Sequence, residues 1–120
     1  MDPRTTAATI ITPVILRQQS LATSMPSGLA HHTNKQDHPF IKELCYGTMR
    51  WFNYLEFIAR QLLKKPLKEN DQDIYAAVLI GLYQIIKLRV PDHAAIDNTV
   101  NVAKELRKKW ATGLINAVLR

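Results

Sequence analysis

Apolar residues recur every three or four positions over most of the chain, which is the period of an amphipathic helix. The clearest stretch begins at Phe40, just after Asp37, which is expected to cap the helix. Gly47 lies inside this stretch and allows either a close approach by another backbone or a bend near Arg50. The pattern predicts one long helix with its periodic positions at Phe40, Leu44, Thr48, Phe52, Leu55, Ile58 and Leu62.

The segment 74–86 is apolar at nearly every position. A helix that is apolar on all sides is buried on all sides, so this segment predicts a central helix over about residues 71–88. Asn70 or Asp71 is expected to cap it, and Gly81 would permit a close crossing by another helix.

A further helix is predicted to open at Pro91 and Asp92. Its apolar stripe comprises Ile96, Thr99, Val100, Ala103 and Leu106. Thr112-Gly113 is expected to break the chain before a last helical segment, which stops in mid-pattern at Arg120. No alternating pattern typical of a strand occurs, so the sequence predicts an all-α bundle.

The first third of the chain has a weaker pattern. Apolar residues near the start have helical spacing, but Pro13 interrupts them. Either Thr12 caps a helix that begins at Pro13, or one kinked helix covers about residues 4–18. Residues 20–38 include a proline and a glycine and predict a loop, with one helical turn at most around residues 21–25.

A length of 120 residues fits one domain, 1–120, and the uncapped end predicts that this domain is a fragment of a longer protein. The net charge of +6 points to an anionic partner or to a merely soluble basic domain. Cys45 is the single cysteine, so no internal disulfide can form, which agrees with a cytoplasmic location. No apolar run reaches the roughly 20 residues that span a bilayer, so no membrane association is expected.

Motifs that carry catalysis, metal binding or nucleotide binding are missing from the sequence. His31-His32 is the one histidine pair, and adjacent loop residues rarely face the same metal ion. Cys45 lies among apolar neighbours on a predicted helix and is interpreted as a packing residue. The chain by itself is therefore predicted not to be an enzyme and to hold no cofactor or metal.

The strongest basic cluster comprises Lys104, Arg107, Lys108 and Lys109, with Trp110 beside it. Such a cluster can neutralise phosphates, and the tryptophan can stack on an unpaired base. The alternative is a solvated helix end whose cations favour the helix dipole and whose tryptophan covers the core. A solvated helix end is also the interpretation given to the pair at 64–65.

Trp51, Tyr54 and Phe57 exceed what one apolar helix stripe requires. Exposure of some of these rings would indicate a different class of function, a module that docks another protein.

Several segments in a fixed order resemble one family. They are DHPFIKELCYGTMR at 37–50, GLYQ at 81–84, RVPDHAA at 89–95, TVNVAK at 99–104 and GLINAVLR at 113–120. Together they resemble the NusB-like domain at the N-terminus of bacterial 16S ribosomal RNA cytosine-C5 methyltransferases.

This resemblance implies a NusB-like bundle of about seven helices that helps a C-terminal methyltransferase domain engage ribosomal RNA. S-adenosylmethionine would be bound by that absent domain, and Cys45 would not be the methyltransferase nucleophile. The resemblance also makes Arg4 and Arg17, in the first helical region, a second candidate RNA surface. The free-standing NusB transcription antitermination factor, which binds RNA and a ribosomal protein, is the alternative. ELCYG-x-x-R at 43–50 and P-x-HAA at 91–95 favour the methyltransferase domain.

Overall fold

The computed structural model describes all of residues 1–120 and contains seven α-helices and no strand. The helices are α1 (Pro3–Ile15), α2 (Leu21–Ala30), α3 (His38–Arg50), α4 (Phe52–Leu62), α5 (Gln72–Ile86), α6 (Asp92–Glu105) and α7 (Thr112–Leu119). Short 3-10 helices occupy Lys35–Asp37, Glu69–Asp71 and Lys109–Ala111. The all-α prediction is confirmed, and no helix is both long enough and apolar enough to cross a bilayer.

The fold is built around α5, as its continuous apolar sequence predicted. Every residue from Ile74 to Gln84 is buried. α5 contacts α1, α3, α4, α6 and α7, so its whole circumference lies against other helices. Gly81 allows two of them to come close, because a Cβ there would lie 2.8 Å from Leu119 Cδ1 and 2.9 Å from Thr99 Oγ1.

The long helix predicted from Phe40 onward is two helices. They meet at Trp51, whose φ of −100° and ψ of 19° are not helical. The bend near Arg50 is therefore confirmed. The apolar periodicity does not reveal this bend, because the helical hydrogen bonds continue across it. The Trp51 amide donates to the Gly47 carbonyl, and the Leu55 amide donates to the Trp51 carbonyl.

Gly47 makes room for a side chain rather than for a backbone. A Cβ there would overlap the hydroxyl oxygen and Cζ of Tyr83 and lie 2.6 Å from its Cε1. The Tyr83 hydroxyl donates to Glu43 Oε2 at 2.6 Å, so the ring is tied to α3 at this position.

The prediction of a loop over residues 20–38 is wrong, because Leu21–Ala30 forms α2. Packing against α1 outweighs the local signals of its proline and glycine. The Ser24 hydroxyl donates to the carbonyl of Ile10 at 2.6 Å. The close packing of α2 on α1 also needs a glycine at position 28, since a Cβ on Gly28 would lie 2.7 Å from Ile10 Cδ1.

α1 is one helix that contains Pro13 in its last turn, so the alternative of a helix beginning at Pro13 is excluded. Thr12 does not cap it, because its hydroxyl donates to the carbonyl of Ala8 at 2.7 Å. The cap at the start of α1 is Asp2, whose carboxylate accepts from the Arg4 amide at 2.8 Å.

Two predicted caps occupy the expected positions without capping. Asp37 precedes α3, but its carboxylate lies 2.8 Å from His32 Nε2 and makes no bond to the helix start. Asp71 precedes α5 and pairs with Lys108 at 3.2 Å instead. Asp37 therefore ties the end of the α2–α3 connection to His32, five residues earlier, whereas Asp71 joins α5 to a lysine 37 residues later, which local sequence signals do not reveal.

The break expected at Thr112–Gly113 lies earlier, at Arg107. That residue has a φ of 61°, and the turn lets the Lys108 amide donate to the carbonyl of Ala103 at 2.8 Å. The 3-10 helix Lys109–Ala111 then leads directly into α7.

Candidate nucleic-acid interface

Three of the predicted basic residues form a free cationic surface at the end of α6. Lys104 lies in its last turn, Arg107 in the turn that follows, and Lys109 in the next 3-10 helix. All three are exposed, and none takes part in any of the chain's ion pairs. We call Lys104, Arg107 and Lys109 the α6 cations.

The nearby carboxylate of Glu105 forms no ion pair with the α6 cations. It accepts the backbone amide of Asp2 at 3.0 Å and the hydroxyl of Thr5, so it holds the start of α1. The positive charge at this end of α6 is therefore available to an outside partner.

Lys108 behaves differently from its neighbours. Its ammonium donates to Asp73 Oδ1 at 2.8 Å, pairs with Asp71 at 3.2 Å and also donates to the carbonyl of Asn70. Partial burial alone would lower the pKa of Lys108, but the hydrogen bonds and charges of the two aspartates outweigh it and raise that pKa. The structure places Lys108 as a clamp between the end of α6 and the start of α5.

Trp110 borders a groove that sequence reasoning did not anticipate. The indole is 55% exposed and faces the segment that links α4 to α5. The open groove between them has a volume of about 540 Å³. Its principal lining residues, which define what we call the Trp110 groove, are Leu62, Lys64, Lys65, Lys68, Trp110, Leu114 and Ala117.

The rim of the Trp110 groove is positively charged. Lys64, Lys65 and Lys68 are exposed and have no ion-pair partner. Asp71 is the one acidic residue that lines the groove, and it pairs with Lys108, which also pairs with Asp73. The pair at 64–65 is exposed just after the end of α4, as expected of a solvated helix end, and it lines the same groove as Trp110.

Arg4 is engaged by other side chains of the protein, whereas Arg17 is free to contact a partner molecule. The Arg4 guanidinium donates to Gln84 Oε1 at 2.8 Å, pairs with Asp2 at 3.3 Å and lies 5.1 Å from the Phe40 ring centroid. Those contacts fasten α1 to α5 and α3. Arg17 is exposed and has a φ of 59°, with no ion-pair partner.

The remaining chemically notable side chains have structural partners. His32 is buried, with Nδ1 2.6 Å from the Thr6 hydroxyl and Nε2 2.8 Å from Asp37. No group of three or more potential metal ligands occurs in the chain. Cys45 is fully buried, which raises the pKa of its thiol to about 12, and its Sγ lies 3.7 Å from the carbonyl of Ala7.

A second exposed surface lies along α4. Trp51, Tyr54 and Phe57 are 40%, 47% and 65% exposed. Tyr54 and Phe57 are three residues apart and so are neighbours on α4, and Trp51, just before the helix, meets the Tyr54 ring edge to face. The Lys87 ammonium lies 3.4 Å from the centroid of the Trp51 ring, so one face of that ring already has a cationic partner. We call these three aromatic residues the α4 stripe.

The comparison with known proteins gives the family. The model of the NusB family matches residues 1–120, and the chain belongs to that family. Its relatives include the ribosomal RNA small subunit methyltransferase B of Pseudomonas putida, 44% identical over 120 residues, which are all of this chain and 27% of that protein. The probable enzyme of the same name in Coxiella burnetii is 40% identical over 120 residues, all of this chain and 26% of the relative. The one in Vibrio cholerae is 38% identical over 120 residues, all of this chain and 27% of the relative.

The chain therefore spans about a quarter of the length of these relatives. The predicted family is confirmed, and so is the helical bundle that it implied.

Proposed function

We propose that the chain is an RNA-binding domain that helps a methyltransferase engage the RNA of the small ribosomal subunit. The observation that carries this proposal is the group of α6 cations beside the exposed Trp110. Membership of the NusB family and the names of the relatives give the class of RNA.

Electrostatics explains why this surface favours RNA. Each lysine or arginine that neutralises a phosphate releases condensed counterions, which makes binding favourable at low salt and weaker as salt rises. The α6 cations are not engaged by carboxylates of the chain, so no internal ion pair has to break before RNA binds. Lys108 and Arg4 lack that freedom and are left out of the proposed RNA-binding surface.

The proposal assigns the chemistry to other parts of a longer protein, of which residues 1–120 are one domain. The cytosine-C5 transfer and the S-adenosylmethionine that supplies the methyl group belong to that remainder, and the cytoplasm is where ribosomal RNA would be met. This chain offers no glycine-rich cradle for the cofactor. A Cβ at Gly28, Gly47 or Gly81 would meet a packed side chain, and only Gly113 faces open space.

The α4 stripe supports a second candidate function, the docking of another protein. Large aromatic side chains that are exposed side by side are enriched at protein interfaces. The methyltransferase portion of the same polypeptide is the partner proposed for this surface.

The test is a titration of the chain against labelled fragments of small-subunit ribosomal RNA at about 50 and about 200 mM salt. The pair Lys104→Glu and Arg107→Glu is expected to weaken binding about tenfold and to flatten its salt dependence, because two cations that neutralise phosphates are replaced by anions. The control pair is Lys35→Glu with Lys42→Glu, which changes the net charge equally at two exposed lysines elsewhere.

Equal weakening by both pairs would mean that net charge alone attracts RNA, and the assigned surface would be wrong. Absence of RNA binding, with salt-insensitive binding to the separately expressed methyltransferase portion, would replace the proposal with the docking function.

A further inference from the structure

We infer that the Trp110 groove binds an unpaired RNA segment, with a base stacked on Trp110 and its flanking phosphates held by Lys64, Lys65 and Lys68. This inference rests on the proposed function and adds to it the form of RNA and the place where that RNA lies.

The groove combines two chemistries that a single-stranded nucleic acid requires. Leu62, Leu114 and Ala117 provide apolar surface for a base or a ribose, and the lysines on the rim provide charge for the backbone. Its volume of about 540 Å³ lies in the range of pockets that enclose small ligands, so it suits a nucleotide or two. A helical duplex is far larger than such a groove.

Trp110 has a ring that is free to stack. The indole is 55% exposed, and neither a cation nor another aromatic ring lies against it. Trp51 is also exposed, but Lys87 covers one of its faces and Tyr54 meets it edge to face. The two tryptophans therefore form a natural comparison within one chain.

An unpaired strand fits this arrangement better than a duplex does. Bases within a duplex already stack on their neighbours, whereas an unpaired base can offer its whole face to an aromatic side chain. Stacking of this kind tolerates any base, so the groove would supply affinity for single strands rather than for one sequence.

The charge of the groove favours a polyanion over a protein partner. Three lysines without ion-pair partners line the groove, against one carboxylate, Asp71, which is itself paired with Lys108. Lys109, next to Trp110, extends the same charge toward the other two α6 cations, Lys104 and Arg107. An RNA strand leaving the groove would meet those cations next.

The experiment uses the Trp51→Phe variant, in which Trp110 is the only tryptophan. Oligo(A) and a blunt oligo(A)·oligo(U) duplex of equal length are titrated against it while tryptophan fluorescence is followed. We expect the single strand to quench Trp110 and to bind about tenfold more tightly than the duplex, because only the single strand can stack.

Variants of the otherwise unchanged chain then test the groove, with anisotropy of labelled oligo(A) as the readout and circular dichroism as the check on folding. Trp110→Leu is expected to weaken binding about tenfold, whereas Trp110→Phe retains most of it and Trp51→Leu leaves it unchanged. Replacing Lys64, Lys65 and Lys68 by glutamine should lower the salt slope by about 0.7 for each phosphate that is no longer neutralised.

Equal binding of duplex and single strand without quenching would overturn the inference and leave a phosphate-binding surface, so the proposed function would survive. An affinity and a salt slope that stay unchanged in the triple glutamine variant would overturn the role assigned to the three groove lysines. Absence of binding to oligo(A), to the duplex and to ribosomal RNA would remove the inference together with the proposed function. Loss of binding to the methyltransferase portion, but not to RNA, in Trp110→Leu would assign the groove to a protein.

Discussion

Gly47→Ala is expected to lower the free energy of unfolding by about 2–3 kcal/mol, even though alanine is the better helix former. In an unconstrained helix the same change would raise stability by about 1 kcal/mol. Here the new Cβ would overlap the hydroxyl group and Cζ of Tyr83. The ring cannot move away freely, because Tyr83 is buried and its hydroxyl is bonded to Glu43.

Urea unfolding followed by circular dichroism measures this effect. The matched control is Gly113→Ala on α7, where an added Cβ meets nothing within 4 Å. That control should be neutral or slightly stabilising. Similar unfolding midpoints for the two variants would mean that Tyr83 is not packed against Gly47 as described.

Lys108→Ala is expected to reduce stability by about 1–2 kcal/mol while leaving RNA affinity nearly unchanged. The reason is that Asp71 and Asp73 would keep their charges with no cation between them. Both carboxylates are partly buried, so water compensates them only in part. Denaturant unfolding and an RNA titration on the same samples provide the two measurements.

The adjacent Lys109→Ala is the control, and the opposite pattern is expected from it. Lys109 is exposed and unpaired, so its removal should change stability by less than about 0.5 kcal/mol. Its removal should weaken RNA binding, because it lies between Trp110 and the other α6 cations. If Lys108→Ala weakened RNA binding as much as Lys109→Ala does, the assignment of Lys108 to the fold would be wrong.

The sequence predicted well those helices whose buried face can be recognised from their own residues. α5 is apolar on every side, and the stripe along α6 has one clear face, so neither depends on knowing its neighbours. α2 was missed because its proline and glycine favour a loop locally. It is stabilised by α1, through the contacts of Ser24 and Gly28 with Ile10, which no local window contains.

The candidate interface shows the same division. The sequence alone located the basic cluster and its tryptophan, because these residues are close neighbours along the chain: Lys104, Arg107, Lys109 and Trp110. Only the structure shows that Lys108 is not free to bind RNA, because its partner Asp73 is 35 residues away along the chain. The structure also shows that Lys64 and its neighbours line the same groove as Trp110. The sequence could not show this, because the contact of α4 with α7 joins parts of the chain that share no local pattern.

The left-handed turn at Arg107 has an energetic consequence for the interface. Any residue with a Cβ is disfavoured there by about 1 kcal/mol relative to glycine, and the chain nevertheless places an arginine at that position. Arg17 after α1 and Arg89 after α5 have the same left-handed conformation. Under the proposed function, the turn at Arg107 lowers folding stability and in return presents a cation to RNA at the end of α6.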